Sequence, residues 1–302
     1  MTSKILVPLD GSTLAELALS CAALLAGGLP AVLVVLRAVS LPSDIKEVLD
    51  RVDLPADART APLASAAHDY LKQIAHPLQQ NGLSVSAIVR CGPAENAILD
   101  CVAQLGIQQI VMATHGYGGI SRWVHGSIAE RVLLAASAPV LLVRAQKDAG
   151  DPSLKPLSCQ RILVPLDGSP VAEQVLPIAS SVAKALGAEL VLFRVPAIST
   201  STYLAGDSYV PLDHLIETAN QDTEKYLQRT AEGVRGQGIQ VSTAIQVGGV
   251  ANAIIDYAEA NRIDLIAMCT HGRTGLARWA LGSVADRVLR AGRIPLLLVR
   301  AR

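Results

Sequence analysis

The sequence predicts an α/β protein of two tandem domains, each an open, doubly wound sheet of five parallel strands, and three observations carry that reading. The first is a duplication. Ile5 to Ser12 read ILVPLDGS, and Ile162 to Ser169 read the same eight residues again. Thr114-His115-Gly116 returns as Thr270-His271-Gly272, Gly126-Ser127 as Gly282-Ser283, and Arg131-Val132-Leu133 as Arg287-Val288-Leu289. Stacking repeats have periods of roughly 20–50 residues, so each of these much longer copies is expected to be a complete domain.

The second observation is alternation within a copy. Short apolar runs rich in β-branched residues, Ile5–Leu9, Ala31–Val39, Val85–Val89, Ile107–Ala113 and Val140–Val143, read as five buried strands. Between them, segments near 13–26, 62–80, 94–105 and 127–137 have helical spacing. Right-handed crossovers wind such a β-α-β-α-β-α-β-α-β string into an open parallel sheet. The longest irregular stretch, Ser40 to Ala61, with its counterpart Pro196 to Tyr209, is expected to form a mobile flap after strand two. The third observation is composition. Hydrophobic residues make up 51% of the 302 residues but aromatics only 3%, so the core is filled by Val, Ile, Leu and Ala, as in sheets covered by helices on both faces.

The domains are placed at 1–146 and 161–302, joined by a linker over 147–160 in a polar, proline-containing run. The last strand of each half is apolar and lies at a sheet edge, which predicts an intrachain pseudo-dimer and allows a homodimer. Lys plus Arg balance Asp plus Glu at 26 each, which argues against a nucleic-acid or anionic-membrane partner. Five scattered cysteines without C-x-x-C exclude a disulfide framework or a zinc knuckle and fit a reducing, cytoplasmic location. The uncharged stretch Leu17–Leu36 is interrupted by Gly27-Gly28 and Pro30, so it reads as helix then strand, and no secretory signal pattern precedes it.

In a doubly wound sheet the ligand crevice lies outside the carboxyl ends of the strands, where the winding reverses. Asp10 and Asp167 fall there, at the end of strand one, as do His115 and His271 at the end of strand four. Each Asp-Gly-Ser has two readings. Asp and Gly form a turn with Ser12 or Ser169 as helix N-cap, the second followed by Pro170; or the carboxylate accepts hydrogen bonds from ribose hydroxyls. Gly126-Ser127-Ile128-Ala129-Glu130 and Gly282-Ser283-Val284-Ala285-Asp286 have capping-box spacing with Ser at the cap. The same helix start also offers free N–H groups and a positive dipole end to phosphate. His115 and His271, each before a glycine, suit a hinge or a supporting hydrogen bond better than acid–base catalysis. Trp123 and Trp279 read as loop anchors, and Arg122, Arg273 and Arg278 as facing phosphate or solvent. Neither a P-loop nor a Gly-x-Gly-x-x-Gly dinucleotide fingerprint is present.

With these motifs the sequence resembles the universal stress protein family in its tandem form, over essentially the whole chain. The resemblance rests on ILVPLDGS in each half, on the His-Gly loop, and on Gly116, nine residues, Gly126-Ser127, repeated as Gly272, nine residues, Gly282-Ser283. It implies an adenine nucleotide alpha hydrolase-like fold and an adenine-nucleotide site in each half, for ATP or AMP with or without Mg2+. Asp10 and Asp167 would contact ribose, and backbone at Ala38 and Val195 would read the adenine edge. Gly116, Gly126, Ser127 and the amide of Ile128 would hold phosphates, as would Gly272, Gly282, Ser283 and Val284, with His115 and His271 beside them. The first glycine of the family pattern is Ala113 in one half and Cys269 in the other. Those side chains are expected to intrude on the site, cysteine more than alanine, leaving the first half the stronger. The implied function is a nucleotide-binding regulatory module of the stress response, acting on an unidentified protein partner. Two other classes stand beside it: a protein-interaction scaffold with degenerate sites, and a slow ATP hydrolase, for which no general base or metal-carboxylate pair is visible.

Overall fold

The structure, a computed structural model, describes residues 2–41, 56–114, 128–144, 159–197, 212–271 and 281–301. The chain divides into two compact units, Met1–Leu157 and Ser158–Arg302. The first unit runs β1 (Ser3–Pro8), α1 (Thr13–Gly28), β2 (Ala31–Val39), α2 (Ala56–Gln80), β3 (Ser84–Cys91), α3 (Ala94–Leu105), β4 (Gln109–Thr114), α4 (Ile128–Ala135) and β5 (Val140–Arg144). The second runs β6 (Arg161–Pro165), α5 (Pro170–Glu173), α6 (Leu176–Leu186), β7 (Glu189–Arg194), α7 (Leu212–Arg235), β8 (Val241–Ile245), α8 (Val250–Ala260), β9 (Leu265–Cys269), α9 (Ser283–Ala291) and β10 (Leu296–Val299).

Each unit is an open sheet of five parallel strands, ordered β3-β2-β1-β4-β5 in the first and β8-β7-β6-β9-β10 in the second. The two orders are the same. The winding therefore reverses between β1 and β4, and between β6 and β9. At that point the ladder is short. β1 stays paired with β2 up to Pro8 and Leu36, but pairs with β4 only at Ile5–Gln109 and Leu6–Ile110. β6 and β9 likewise pair only at Ile162–Leu265 and Leu163–Ile266. Beyond those pairs the ladder lapses toward the carboxyl ends of the strands in each unit.

The strands are buried because their residues are apolar on both faces: Ile5, Leu6, Val7, Leu33 to Leu36, Ile110, Val111 and Leu142 are all at most 2% exposed. Phe193, the single phenylalanine, is buried in the second core against Tyr257, with ring centres 5.0 Å apart. The uncharged stretch Leu17–Leu36 resolves into the end of α1 and the start of β2, and none of the described helices is long and apolar enough to cross a membrane.

Two elements differ from the pattern read in the sequence. α2 begins at Ala56 rather than near residue 62, so Pro62 lies inside it and residues 56–61 are helix, not flap. A proline this near the start forgoes one bond, to the carbonyl of Ala58, and the long amphipathic helix tolerates it. The counterpart of α1 is split into α5 and α6: Pro177 cannot donate to the carbonyl of Glu173, so the helix breaks after Glu173.

Candidate functional site

The turn after β1 is built by its own side chains. Asp10 Oδ1 accepts from the amide of Ser12 at 2.9 Å and from its hydroxyl at 2.5 Å, and Ser12 Oγ accepts from Ala15 N at 3.1 Å. Ser12 is thus the N-cap of α1. The second unit repeats the arrangement: Asp167 Oδ1 accepts from Ser169 N at 2.8 Å and Ser169 Oγ at 2.6 Å, and Ser169 caps α5 with Pro170 following. Gly11 and Gly168 take φ of +82° and +84°, which only glycine adopts without strain. The turn reading of Asp10 and Asp167 is realised, with Oδ1 of each committed to the turn's Ser. Burial would raise the pKa of Asp10, but the hydrogen bonds from Ser12 and the charge of Arg37 outweigh it and hold the carboxyl below its ordinary value.

Arg37, from the end of β2, lies across that turn. Its guanidinium occupies the space where a side chain on Gly11 would stand, and its carbon is 5.0 Å from the centre of the Tyr70 ring on α2. Tyr70 in turn donates its hydroxyl to Glu16 of α1 at 2.8 Å. Burial first, and then the hydrogen bond to Glu16 and its charge, push the Tyr70 phenol up. The second unit has the same cluster. Arg194 lies over Gly168 and 4.5 Å from the ring centre of Tyr226, which donates to Glu173 at 2.8 Å. Aspartate, arginine, tyrosine and glutamate therefore recur together at both crevices. None of the Arg, Tyr or Glu members belongs to a motif read in the sequence. The available signal was their recurrence at matching places in the two copies, outside the glycine-rich stretches.

A cavity of about 430 Å³ opens beside this cluster in the first unit, within the range of small-ligand sites. It is lined by Gly11 of the turn, by Arg37, Ala38, Val39 and Ser40 at the end of β2, and by Leu63, Ala66, Ala67 and Tyr70 on α2. Ala38, read as a base contact, is in its wall. Arg37 is part of its lining, and Arg37 Nη1, packed against Gly11, is buried and has no hydrogen-bond partner.

At the end of β9, His271 Nδ1 is 3.0 Å from Thr270 Oγ1, and its buried Nε2 lacks a partner. Val195 lies just past β7, in the place corresponding to Ala38. Ala113 is half-buried near the end of β4. Cys269 is 5% exposed, and its Sγ is 3.6 Å from the carbonyl of Ala172. The thiol packs against α5.

The capping-box reading of the second half is corrected. The cap of α9 is Gly282, Ser283 is its exposed first residue, and Asp286 pairs with Arg290 at 2.8 Å rather than reaching back. The cause is a close approach: Gly282 N donates to the carbonyl of Thr270 at 2.8 Å, and a Cβ on Gly282 would stand 2.9 Å from that oxygen. In the first half α4 begins at Ile128, while His115, Gly116, Gly126 and Ser127 lie outside the described residues, as do Gly272, Arg122, Trp123, Arg273, Arg278 and Trp279. Among the described residues, no three or more His, Cys, Asp or Glu gather in a way that could hold a metal ion.

Fold and site together define a doubled, doubly wound α/β protein with the same polar cluster at the carboxyl ends of the strands in each half and a cavity beside it in the first. The model of the Universal stress protein family matches residues 1–144 and 159–300, and the chain belongs to that family. A universal stress protein of Methanocaldococcus jannaschii is 34% identical over 142 residues, 47% of this chain and 82% of the relative. One from Mycolicibacterium smegmatis is 26% identical over 224 residues, covering 74% of this chain and 71% of its own. Among solved structures, a universal stress protein from Archaeoglobus fulgidus superposes with a TM-score of 0.72 at 22% identity, over 98% of both chains. That likeness reports the fold.

Proposed function

We propose that this chain is an adenine-nucleotide-binding regulatory protein of the stress response, with a site for ATP or AMP in each unit. The observation that carries the reading is the cavity at the ends of β1 and β2, lined by Gly11 of the Asp10 turn and by Arg37, one of whose guanidinium nitrogens is buried without an acceptor. A buried donor without a partner is costly, and a bound polar ligand removes that cost.

In this reading Asp10 and Asp167 accept from ribose hydroxyls. The backbone at Ala38 and Val195 meets the base edge. Phosphates lie at the starts of α4 and α9, where the amides of Ile128, Ser283 and Val284 face outward at the positive end of the helix. Gly116, Gly126, Ser127, Gly272 and Gly282 belong to the same proposal, with His115 and His271 beside them. Mg2+ would ride on the phosphates. Occupancy would alter the crevice and so the surface offered to a protein partner. The proposal keeps the domain bounds 1–146 and 161–302 with a linker between, and it includes association through the apolar strands β5 and β10, within one chain or between two.

Mass spectrometry of small molecules released by denaturing freshly purified protein tests the reading. ATP or AMP in the released fraction is the expected result. Absence of nucleotide there, together with no binding on titration, contradicts it and leaves a protein-interaction scaffold.

A further inference from the structure

We propose that Arg37 and Arg194 are ligand contacts at the nucleoside end of each crevice, donating from the guanidinium to a neutral acceptor on the base or the sugar. The inference rests on the nucleotide reading above and deepens it by assigning these two residues to one end of the ligand.

Topology separates the two ends of the crevice. β2 lies on one side of β1 and β4 on the other, so Arg37, at the end of β2, is separated by β1 from the end of β4. The same holds for Arg194 on β7 relative to β9. The arginine is also held in place. Tyr70 lies against the guanidinium face, Gly11 gives it room, and the Tyr70 hydroxyl is fixed by Glu16. A planar fork so fixed loses little freedom when it donates. Two carboxylate oxygens of the cluster are already engaged: Asp10 Oδ1 accepts from Ser12, and Glu16 Oε1 accepts from Tyr70. Among the described residues neither carboxylate bonds to Arg37, and its buried Nη1 is left unsatisfied.

Charge selects the kind of acceptor. Among the described residues the Arg37 cation has the Asp10 carboxylate beside it and the Glu16 carboxylate beyond Tyr70, a setting that suits phosphate poorly. A ring nitrogen, a carbonyl or a sugar oxygen meets the guanidinium without that repulsion. Arg194 has the same neighbours: it is 4.5 Å from the Tyr226 ring and lies over Gly168 of the Asp167 turn, and Tyr226 donates to Glu173. A contact that serves the ligand of each unit accounts for this arrangement in both.

The test is calorimetric titration of the full chain and of the double variant Arg37→Met, Arg194→Met with ATP and, separately, with adenosine. Loss of a charged donor should weaken both ligands by roughly 10- to 100-fold. Unchanged affinity for both, within about twofold, overturns the proposal and leaves the arginines as struts. It is overturned equally if ATP weakens while adenosine does not, or if the wild type binds ATP but not adenosine, since either places the affinity at the phosphates. A wild type that binds neither ligand removes the nucleotide reading itself, and this proposal with it. If the double variant does not fold, side-chain NMR of the wild type decides: the Arg37 and Arg194 guanidinium resonances, assigned through Lys substitutions, shift on adding adenosine, or they do not and the proposal fails.

Discussion

The guanidinium carbon of Arg37 stands 5.0 Å from the centre of the Tyr70 ring, and Arg194 stands 4.5 Å from that of Tyr226. Each pair ties the end of a strand to the long helix that follows it, and the tyrosine hydroxyl extends the tie to the preceding helix through Glu16 or Glu173. The parts can be separated. Tyr70→Phe keeps the ring and should cost about 0.5–1.5 kcal/mol for the lost hydrogen bond. Tyr70→Leu should cost about 0.5–1 kcal/mol more by removing the cation–π contact as well. Equal losses for the two variants in urea melts would show that the ring face contributes nothing.

Asp10 predicts a pH effect of definite sign. Burial works against its charged form, but the Ser12 hydrogen bonds and the Arg37 charge more than compensate, so its folded pKa lies below the ordinary 3.8. A depressed carboxylate contributes stability that is fully present above its unfolded value and is lost as pH falls through the folded one. Wild-type urea midpoints should therefore fall more steeply below pH 3.8 than those of Asp10→Asn. Parallel acid limbs would contradict the assignment.

Gly282 is required by the fold before any ligand arrives. A Cβ there would meet the Thr270 carbonyl at 2.9 Å, a backbone atom that cannot swing aside. Gly282→Ala should lower stability by about 1–3 kcal/mol in nucleotide-free protein, the usual cost of overpacking. Unchanged melting without nucleotide, combined with weaker binding, would assign this glycine to the ligand alone.

The cysteines should differ sharply in reactivity. Burial pushes the Cys21 thiol up to about 11 and, with Asp167 adding to it, the Cys269 thiol up to about 12. Cys101 is also buried, whereas Cys91 is exposed. Since the thiolate is the reactive species, maleimide labelling of native protein at neutral pH, read by peptide mass spectrometry, should modify Cys91 first and spare Cys21, Cys101 and Cys269. Labelling of Cys269 at the rate of Cys91 would mean that its packing against α5 opens readily.

Much of the fold was legible in the sequence because its signals are local. Apolar runs gave five parallel strands in each unit, and Asp-Gly-Ser gave the turns and the caps at Ser12 and Ser169. Signals that depend on contacts between distant elements were not. The capping-box spacing put the cap of α9 at Ser283, but the bond between Gly282 and Thr270, made across the unit, moves it back one residue. The direction of the Cys269 thiol, which lies 3.6 Å from the carbonyl of Ala172, likewise depends on a helix distant in the chain. Arg37, Tyr70 and Glu16 come from three elements far apart in the chain, and only the pairing of strand two against its helix brings them together.

Titration of the full chain with ATP, by calorimetry, bears most directly on the claim that each unit holds a nucleotide. Two molecules bound per chain are predicted, with one class of site weakened by Asp10→Asn and the other by Asp167→Asn. No saturable binding at millimolar ATP, or binding that neither substitution alters, would contradict it.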